Sequence, residues 1–352
     1  MKNIVEVDKN LAVETNIVRE GLCLFDSEKF PFKIYGVFKE NGIFRRMPET
    51  VAQNVSTGVN ALHTHSAGGR VRFVTDSPYV AIKTKYEPWK MPHFALAGSA
   101  GFDMYSEYND ETRYEGTFVP PFDVVNEYES VKDFSEQKER VITINFPLYS
   151  SVTKLYIGLK EGSILGEAPK YKIEKPDVYY GSSITQGGCA SKPGSSYQSI
   201  LSRRFDCDYI NLGFSGSAKG EDEIINYIKQ LDMSAFVMDY DYNAPSVEHL
   251  QKTHRKMFEN IRKAQPDLPI VILSRPRYYL KGDEKERLDV IYETYLTATK
   301  RDDKNVYFIS GQKLMEIVKD NGTVDGSHPS DSGFYSMACA ISEVFETIFK
   351  KL

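Results

Sequence analysis

Near Ile173 to Lys175 the hydrophobic pattern of this chain changes period, so its two halves must build different kinds of core. Before that point, from Asn16 to about Lys172, the apolar runs are short, rich in β-branched and aromatic residues, and separated by Gly, Pro, Asp and Ser; they include Phe32 to Phe38, Arg70 to Thr75, Tyr79 to Lys85, Val141 to Phe146 and Lys154 to Leu159. Such spacing predicts an all-β sandwich or jelly roll. In VRFVTDSPYVAIKTKY the residues Val71, Phe73, Val80 and Ile82 alternate on either side of Asp76-Ser77-Pro78, which reads as a hairpin or a corner. After the change, strand-like runs at Val178 to Tyr180, Tyr209 to Leu212, Ala235 to Tyr240, Ile270 to Leu273 and Val306 to Ile309 alternate with helical stretches that begin near Ser195, Glu221, Ser246 and Glu284. A last helix spans about Asp331 to Lys350. That alternation predicts a parallel sheet in three α/β/α layers. With 352 residues, two domains are expected, at 1–174 and 175–352.

Composition narrows the function classes. A net charge of −5 without a basic stripe argues against nucleic acid, since phosphate binding needs clustered Lys and Arg. No apolar run approaches the roughly 18 residues of a membrane span. The opening MKNIVEVDKN lacks the apolar core of a secretory signal, so a cytoplasmic location is expected, with a secreted mature form left open. Cys23, Cys189, Cys207 and Cys339 form no CxxC pair and read as free thiols. His63 and His65 in LHTHSAGG can chelate a metal on one strand face, and Asp239 and Asp241 can hold Mg²⁺, but each pair lacks a third ligand. No metal or cofactor is therefore expected, and the two aspartates read as polar crevice residues. Trp89, in YEPWKMPHF, reads first as a core anchor and second as a wall of a ligand cleft.

The chemistry is carried by four short stretches at strand ends. In VYYGSSITQGG the apolar run stops at Gly181 and presents hydroxyls just past a strand, where open α/β sheets place their ligand crevice. The plainer reading makes Ser182 and Ser183 turn or N-cap residues. NLGFSGSAKG closes the second strand, and Gly213 and Gly216 allow backbone N–H groups close to a ligand. DYDYN closes the third and offers the Asn243 amide. DGSHP precedes the last helix; Asp325 and His328 are spaced so that a carboxylate can hold Nδ1–H and leave Nε2 facing a serine. An explanation by turns alone must account for four coincidences.

Taken together, these stretches make the chain resemble an SGNH/GDSL-type serine hydrolase. The resemblance implies a flavodoxin-like catalytic domain in which Ser183 is the nucleophile, His328 the base, Asp325 its partner, and the N–H groups of Ser183 and Gly216 with the Asn243 amide form the oxyanion hole. The N-terminal half resembles the β-rich domain of a two-domain branch whose GxDLY motif stands here as Gly101-Phe102-Asp103-Met104-Tyr105. That branch implies acetyl esters on carbohydrate, so the expected partner is a small ester or an acetylated oligosaccharide. The family's Asp before the nucleophile is Ser182, and its GxND reads Asp241-Tyr242-Asn243-Ala244, which alters hydrogen bonding near the oxyanion hole. Trp89, Asp241, Arg275, Arg277 and Tyr278 are candidate substrate-wall residues, and the loop with Trp89 and His93 is expected to reach toward Ser183. The alternatives are a thioesterase or lysophospholipase, and a non-catalytic carbohydrate-binding protein. GSSITQGG has neither the GxGxxG spacing nor the lysine of a nucleotide loop. Whether the chain forms a homo-oligomer is left open.

Overall fold

The computed structural model describes residues 14–109 and 111–350. In the N-terminal half the alternating runs form two antiparallel sheets around one core. One sheet has the order Leu22–Asp26, Ser151–Lys160, Tyr79–Glu87, Glu127–Asp133; the other runs Leu165–Gly166, Arg70–Thr75, Arg140–Asn145, Phe102–Tyr108, Glu111–Phe118. Arg70–Thr75 and Tyr79–Glu87 therefore belong to different sheets, and Asp76-Ser77-Pro78 is a corner. Ser77 Oγ braces it by donating to the Tyr79 carbonyl at 2.7 Å and accepting from the Lys160 N–H at 3.0 Å. The alternation read from sequence buries Val71, Phe73, Val80 and Ile82 in the shared core.

This half is not all β. Glu49–Val55 and Thr57–Leu62 are helices, the second capped by Ser56, whose Oγ accepts the Val59 N–H at 3.1 Å. Their apolar side chains, with that of Met47 just before them, leave the sandwich: Met47, Ala52, Val59 and Leu62 pack with Val178, Tyr180, Leu212 and Phe214. Too few apolar positions occur in ETVAQNVSTGVNAL for a helical stripe to be legible, because only a short face is covered.

The C-terminal half holds five parallel strands in the order Cys207–Gly213, Ile173–Gly181, Ala235–Asp239, Ile270–Leu273, Val306–Ile309. Tyr197–Phe205, Asp222–Ile228, Val247–Ala264, Glu284–Lys300 and Asp331–Phe349 are the longer helices between and after them. No helix among the described residues is long and apolar enough to cross a membrane. The junction between the halves is itself strand: Ile173 pairs with Cys207, and the same strand continues to Gly181.

Buried side chains stitch the halves together. Arg46 donates to the carbonyls of Leu62 (2.7 Å), Asn211 (3.0 Å) and Gly213 (2.5 Å), with its guanidinium 4.7 Å from the Phe214 ring centroid. Arg70 pairs with Asp208 and stacks 3.9 Å over Tyr209. Asp103, the acid of the GFDMY stretch, accepts the Gly194 N–H and the Asn145 amide, both at 2.7 Å. Tyr105 lies against Arg203, 4.1 Å from guanidinium to ring, and Arg203 donates to the Gly194 carbonyl at 2.7 Å. The motif is thus a clamp on the loop Lys192 to Ser196 of the other half.

Candidate active site

The first strand of the parallel sheet lies between the second and third, so its end is flanked by both of theirs: Gly181 pairs with Gly213 on one side and Asp239 on the other. This is the switch point at which open α/β sheets bind ligands. A Cβ on Gly181 would sit 2.0 Å from Thr185 Oγ1 and 2.3 Å from the Asp239 carbonyl, so the turn admits only glycine. The chain then enters the one-turn helix Ser183–Gln186. Ser182 is its N-cap, with Oγ accepting the Ile184 N–H at 3.1 Å. Ser183 is the first helical residue, so its N–H has no intrahelical acceptor.

Ser183 Oγ lies 2.8 Å from His328 Nε2, and His328 Nδ1 lies 2.7 Å from Asp325 Oδ2. The loop before the last helix sets this geometry. Val324 N–H donates to the His328 carbonyl at 2.8 Å, while Asp325 Oδ1 accepts the N–H groups of Ser327 (2.9 Å) and His328 (2.8 Å). Burial works to raise the Asp325 pKa, but the His328 N–H, the imidazole and the Ser327 N–H outweigh it and bring the carboxyl down to about 2. An ionised Asp325 accepts Nδ1–H, which leaves the Nε2 lone pair toward the serine hydroxyl. Such an array can take a proton from Ser183 as its oxygen attacks a carbonyl.

The neighbouring strand ends are tied to the serine helix. Phe214 N–H donates to the Gly181 carbonyl at 2.8 Å, Gln186 Oε1 accepts the Ser215 N–H at 3.1 Å, and Asn243 Nδ2 donates to the Phe214 carbonyl at 2.8 Å. One amide N–H of Asn243 remains for another acceptor. Gly216 has φ +69° with nothing within 4 Å of an added Cβ, so its conformation and not its space calls for glycine.

The loop from Trp89 to Phe94 borders the imidazole. The ring of His93 is 5.5 Å from that of His328, and Phe94 is 6.2 Å away and 4.6 Å from Tyr149. Tyr149 OH donates to the Ser183 carbonyl at 3.2 Å. Cys189 Sγ donates to the His93 carbonyl at 3.4 Å; burial and then the Asp325 charge push its thiol up to about 12, which makes it no rival nucleophile. Trp89 is 46% exposed with its ring 5.3 Å from His65, so it is not a core anchor. The histidines of LHTHS do not share a strand face. His63 contacts Arg45 and the Asn60 carbonyl, while His65, brought down to about 3 by burial, meets Gln186 at 3.1 Å.

Four expected wall residues are braced instead. Asp241 is buried, with Oδ1 2.8 Å from Arg287 Nε and Oδ2 accepting the Arg275 N–H at 3.2 Å, because its carboxylate neutralises an interior guanidinium. Arg275 and Arg277 reach Glu284 at 3.4 and 3.3 Å, and Arg277 also reaches Asp320 at 3.6 Å. The Tyr278 N–H donates to Asp320 at 2.8 Å. The charges of Asp241, Arg275 and Arg277 are thus each paired within the protein.

Several residues that shape the site are misread or missed from sequence. Asp239 is not a crevice residue: its Oδ2 accepts the Thr185 hydroxyl (2.9 Å) and the Tyr197 hydroxyl (3.1 Å) beneath the serine helix. Burial pushes its carboxyl up to about 7 against those two hydrogen bonds. Gln186 and Arg46 look ordinary in sequence, since their partners are far along the chain. Only an apolar setting for a strand-end acid, as in AFVMDYDYN, hints at Asp239.

Residues 174–346 match the GDSL-like Lipase/Acylhydrolase family, and residues 23–165 match the GxDLY family, the N-terminus of SGNH-hydrolase-type esterases. No curated protein sequence matches the chain. Among solved structures, a GDSL-like lipase by assignment from Bacteroides ovatus ATCC 8483 is 26% identical, with a TM-score of 0.84 over 94% of this chain and 98% of that one. A salicylyl-acyltransferase of a tetracycline biosynthetic pathway, SsfX3, is 17% identical with a TM-score of 0.74 over the same shares. An acetyl xylan esterase from the rumen bacterium Butyrivibrio proteoclasticus is 12% identical, with a TM-score of 0.58 over 94% of this chain and 99% of that one. At 17% and 12% identity the last two bear on the fold alone. With one family covering the parallel sheet and its serine turn and the other the β-rich half, the chain belongs to the GDSL-like lipase/acylhydrolase family, as an ester hydrolase with a GxDLY N-terminal domain.

Proposed function

We propose that the protein hydrolyses short-chain esters, chiefly acetyl groups on carbohydrate, through a Ser183-His328-Asp325 triad and an acyl-enzyme. The observation that carries this reading is the 2.8 Å approach of Ser183 Oγ to His328 Nε2, with Asp325 2.7 Å from Nδ1. His328 takes the serine proton as Oγ attacks the ester carbonyl, then returns it to the leaving alcohol. Water follows the same route, activated by His328, and the acid leaves. The N–H groups of Ser183 and Gly216 and the spare amide N–H of Asn243 receive the oxyanion charge.

Two features favour a small acyl group on a polar carrier. The rings of His93 and Phe94 lie 5.5 and 6.2 Å from that of His328, so an acyl group has to share the surroundings of the imidazole with them. Trp89, partly exposed beside this loop, offers an aromatic face of the kind that sugars stack on. The acetyl xylan esterase among the structural relatives agrees with that choice. The test is hydrolysis of p-nitrophenyl acetate, butyrate and octanoate beside acetylated xylo-oligosaccharides. The expected result is a kcat/KM that falls with chain length, with acetate release from the oligosaccharide. Preference for octanoate would overturn the short-chain reading, and no hydrolysis of any ester would overturn the triad.

A further inference from the structure

Among the described residues one set of three metal-binding side chains converges, and it includes the imidazole of the serine site: His93, Cys189 and His328 place one ligand atom each within 4.8 Å of one another. Their origins are independent, one from the β-rich half, one from the loop after the serine helix and one from the loop before the last helix. Two nitrogens and a sulfur are the donor set that zinc-class cations prefer over Mg²⁺ or Ca²⁺. In a tetrahedral zinc site, bonds of about 2.0–2.3 Å put donor atoms roughly 3.3–3.8 Å apart, so closing on an ion asks for about an ångström of side-chain movement.

The orientation of His328 suits it to the task. Asp325 holds Nδ1, so the lone pair is on Nε2, and a carboxylate behind an imidazole is the arrangement that orients metal-binding histidines. The same lone pair accepts the Ser183 hydroxyl at 2.8 Å. It cannot serve both.

We propose that His93, Cys189 and His328 form an inhibitory site for a zinc-class divalent cation, whose binding excludes the Ser183–His328 hydrogen bond. The thiol proton of Cys189 leaves to solvent as sulfur bonds the ion, and no electron transfer is involved. Ser183 Oγ or water completes the fourth position. The consequence for activity rests on the triad assignment, whereas the binding itself does not.

Zinc and cobalt are the probes. Full-length wild type should lose p-nitrophenyl acetate hydrolysis on titration with free Zn²⁺ and regain it with chelator. In Cys189→Ser and His93→Gln, each compared with its own zinc-free rate, the half-inhibiting concentration should rise by more than the roughly 10–100-fold that loss of a mere outer-shell partner costs. Separately, Ser183→Ala should bind one Co²⁺ per chain with a thiolate-to-cobalt charge-transfer band that Cys189→Ser/Ser183→Ala lacks. A missing band, or zinc inhibition equal in wild type and Cys189→Ser, overturns the site. An intact band together with a wild type that hydrolyses no ester would instead leave the site standing and remove the triad.

Discussion

Ser183, His328 and Asp325 are linked by two short hydrogen bonds, and their substitutions should not add. Ser183→Ala and His328→Ala are each expected to lower kcat by about 10⁴-fold or more without loss of folding, and the double variant should be no worse than either single one. Steady-state rates and a circular-dichroism melt on the same preparations check this. Ser182→Ala is the contrast: it removes an N-cap, at a cost of about 1 kcal/mol in stability and with a small effect on kcat. Asn243→Ala should reduce kcat on the order of 10²-fold with KM nearly unchanged, since its spare N–H meets charge that exists only in the transition state. A KM effect alone would assign Asn243 to ground-state binding. Each of these residues was legible in the sequence because it stands in a short motif, at a strand end for Ser182, Ser183 and Asn243 and before the last helix for Asp325 and His328. Asp241 and Trp89 were legible only as polar and aromatic residues, and the partners that decide their roles, Arg287 and His65, lie far away in the chain.

At the scale of elements, the serine helix rests on a buried carboxyl. Asp239 titrates at about 7 in the fold against an ordinary value of 3.8, and Asp177 and Asp103, also buried, are pushed up to about 7 and about 6. A carboxyl with a raised folded pKa binds its proton more tightly in the folded state. Its stabilising share is therefore complete at low pH and shrinks as pH rises from about 4 through the folded pKa, with a slope approaching about 1.4 kcal/mol per pH unit for each group. Asp325 runs the other way: its contribution is present above 3.8 and lost as pH falls through about 2. His65 and His254, both brought down to about 3 by burial, have the opposite dependence below about 6.5, so the expected outcome is differential: the melting-temperature advantage of wild type over Asp239→Asn should shrink from pH 5 to pH 8. An advantage that grows over that range would contradict it. The strands and helices of the α/β half were legible because periods of 2 and 3.6 run through long segments. Glu49–Val55 and Thr57–Leu62 were not, because each covers only a small patch on a partner found elsewhere in sequence.

For the whole molecule, side chains of both halves pack into one core. Met47, Ala52, Val59 and Leu62 complete the packing of the parallel sheet, and buried Arg46 donates to the carbonyls of Leu62, Asn211 and Gly213. Arg46→Ala is expected to lower stability by about 3 kcal/mol or more, read by urea unfolding, since buried carbonyls lose charge-assisted donors. A fragment of residues 174–350 should fail to fold; a soluble fragment with full esterase activity would refute the shared core. The GFDMY clamp extends the argument: Asp103 holds Gly194 by its N–H, and the same loop reaches the last helix where the Ser191 N–H donates to Asp331 at 2.8 Å, three residues after His328. By itself the sequence determined the two fold classes, with a parallel sheet in the second half, and pointed to a serine, an imidazole and a carboxylate, because periodicity and turn motifs act over a few residues. Only the tertiary structure decided that Asp76–Pro78 is a corner, that Asp241 and Asp239 face inward, and that His93 and Cys189 meet His328. Those outcomes depend on contacts between residues tens to hundreds of positions apart, and burial there sets each side chain's charge and partner.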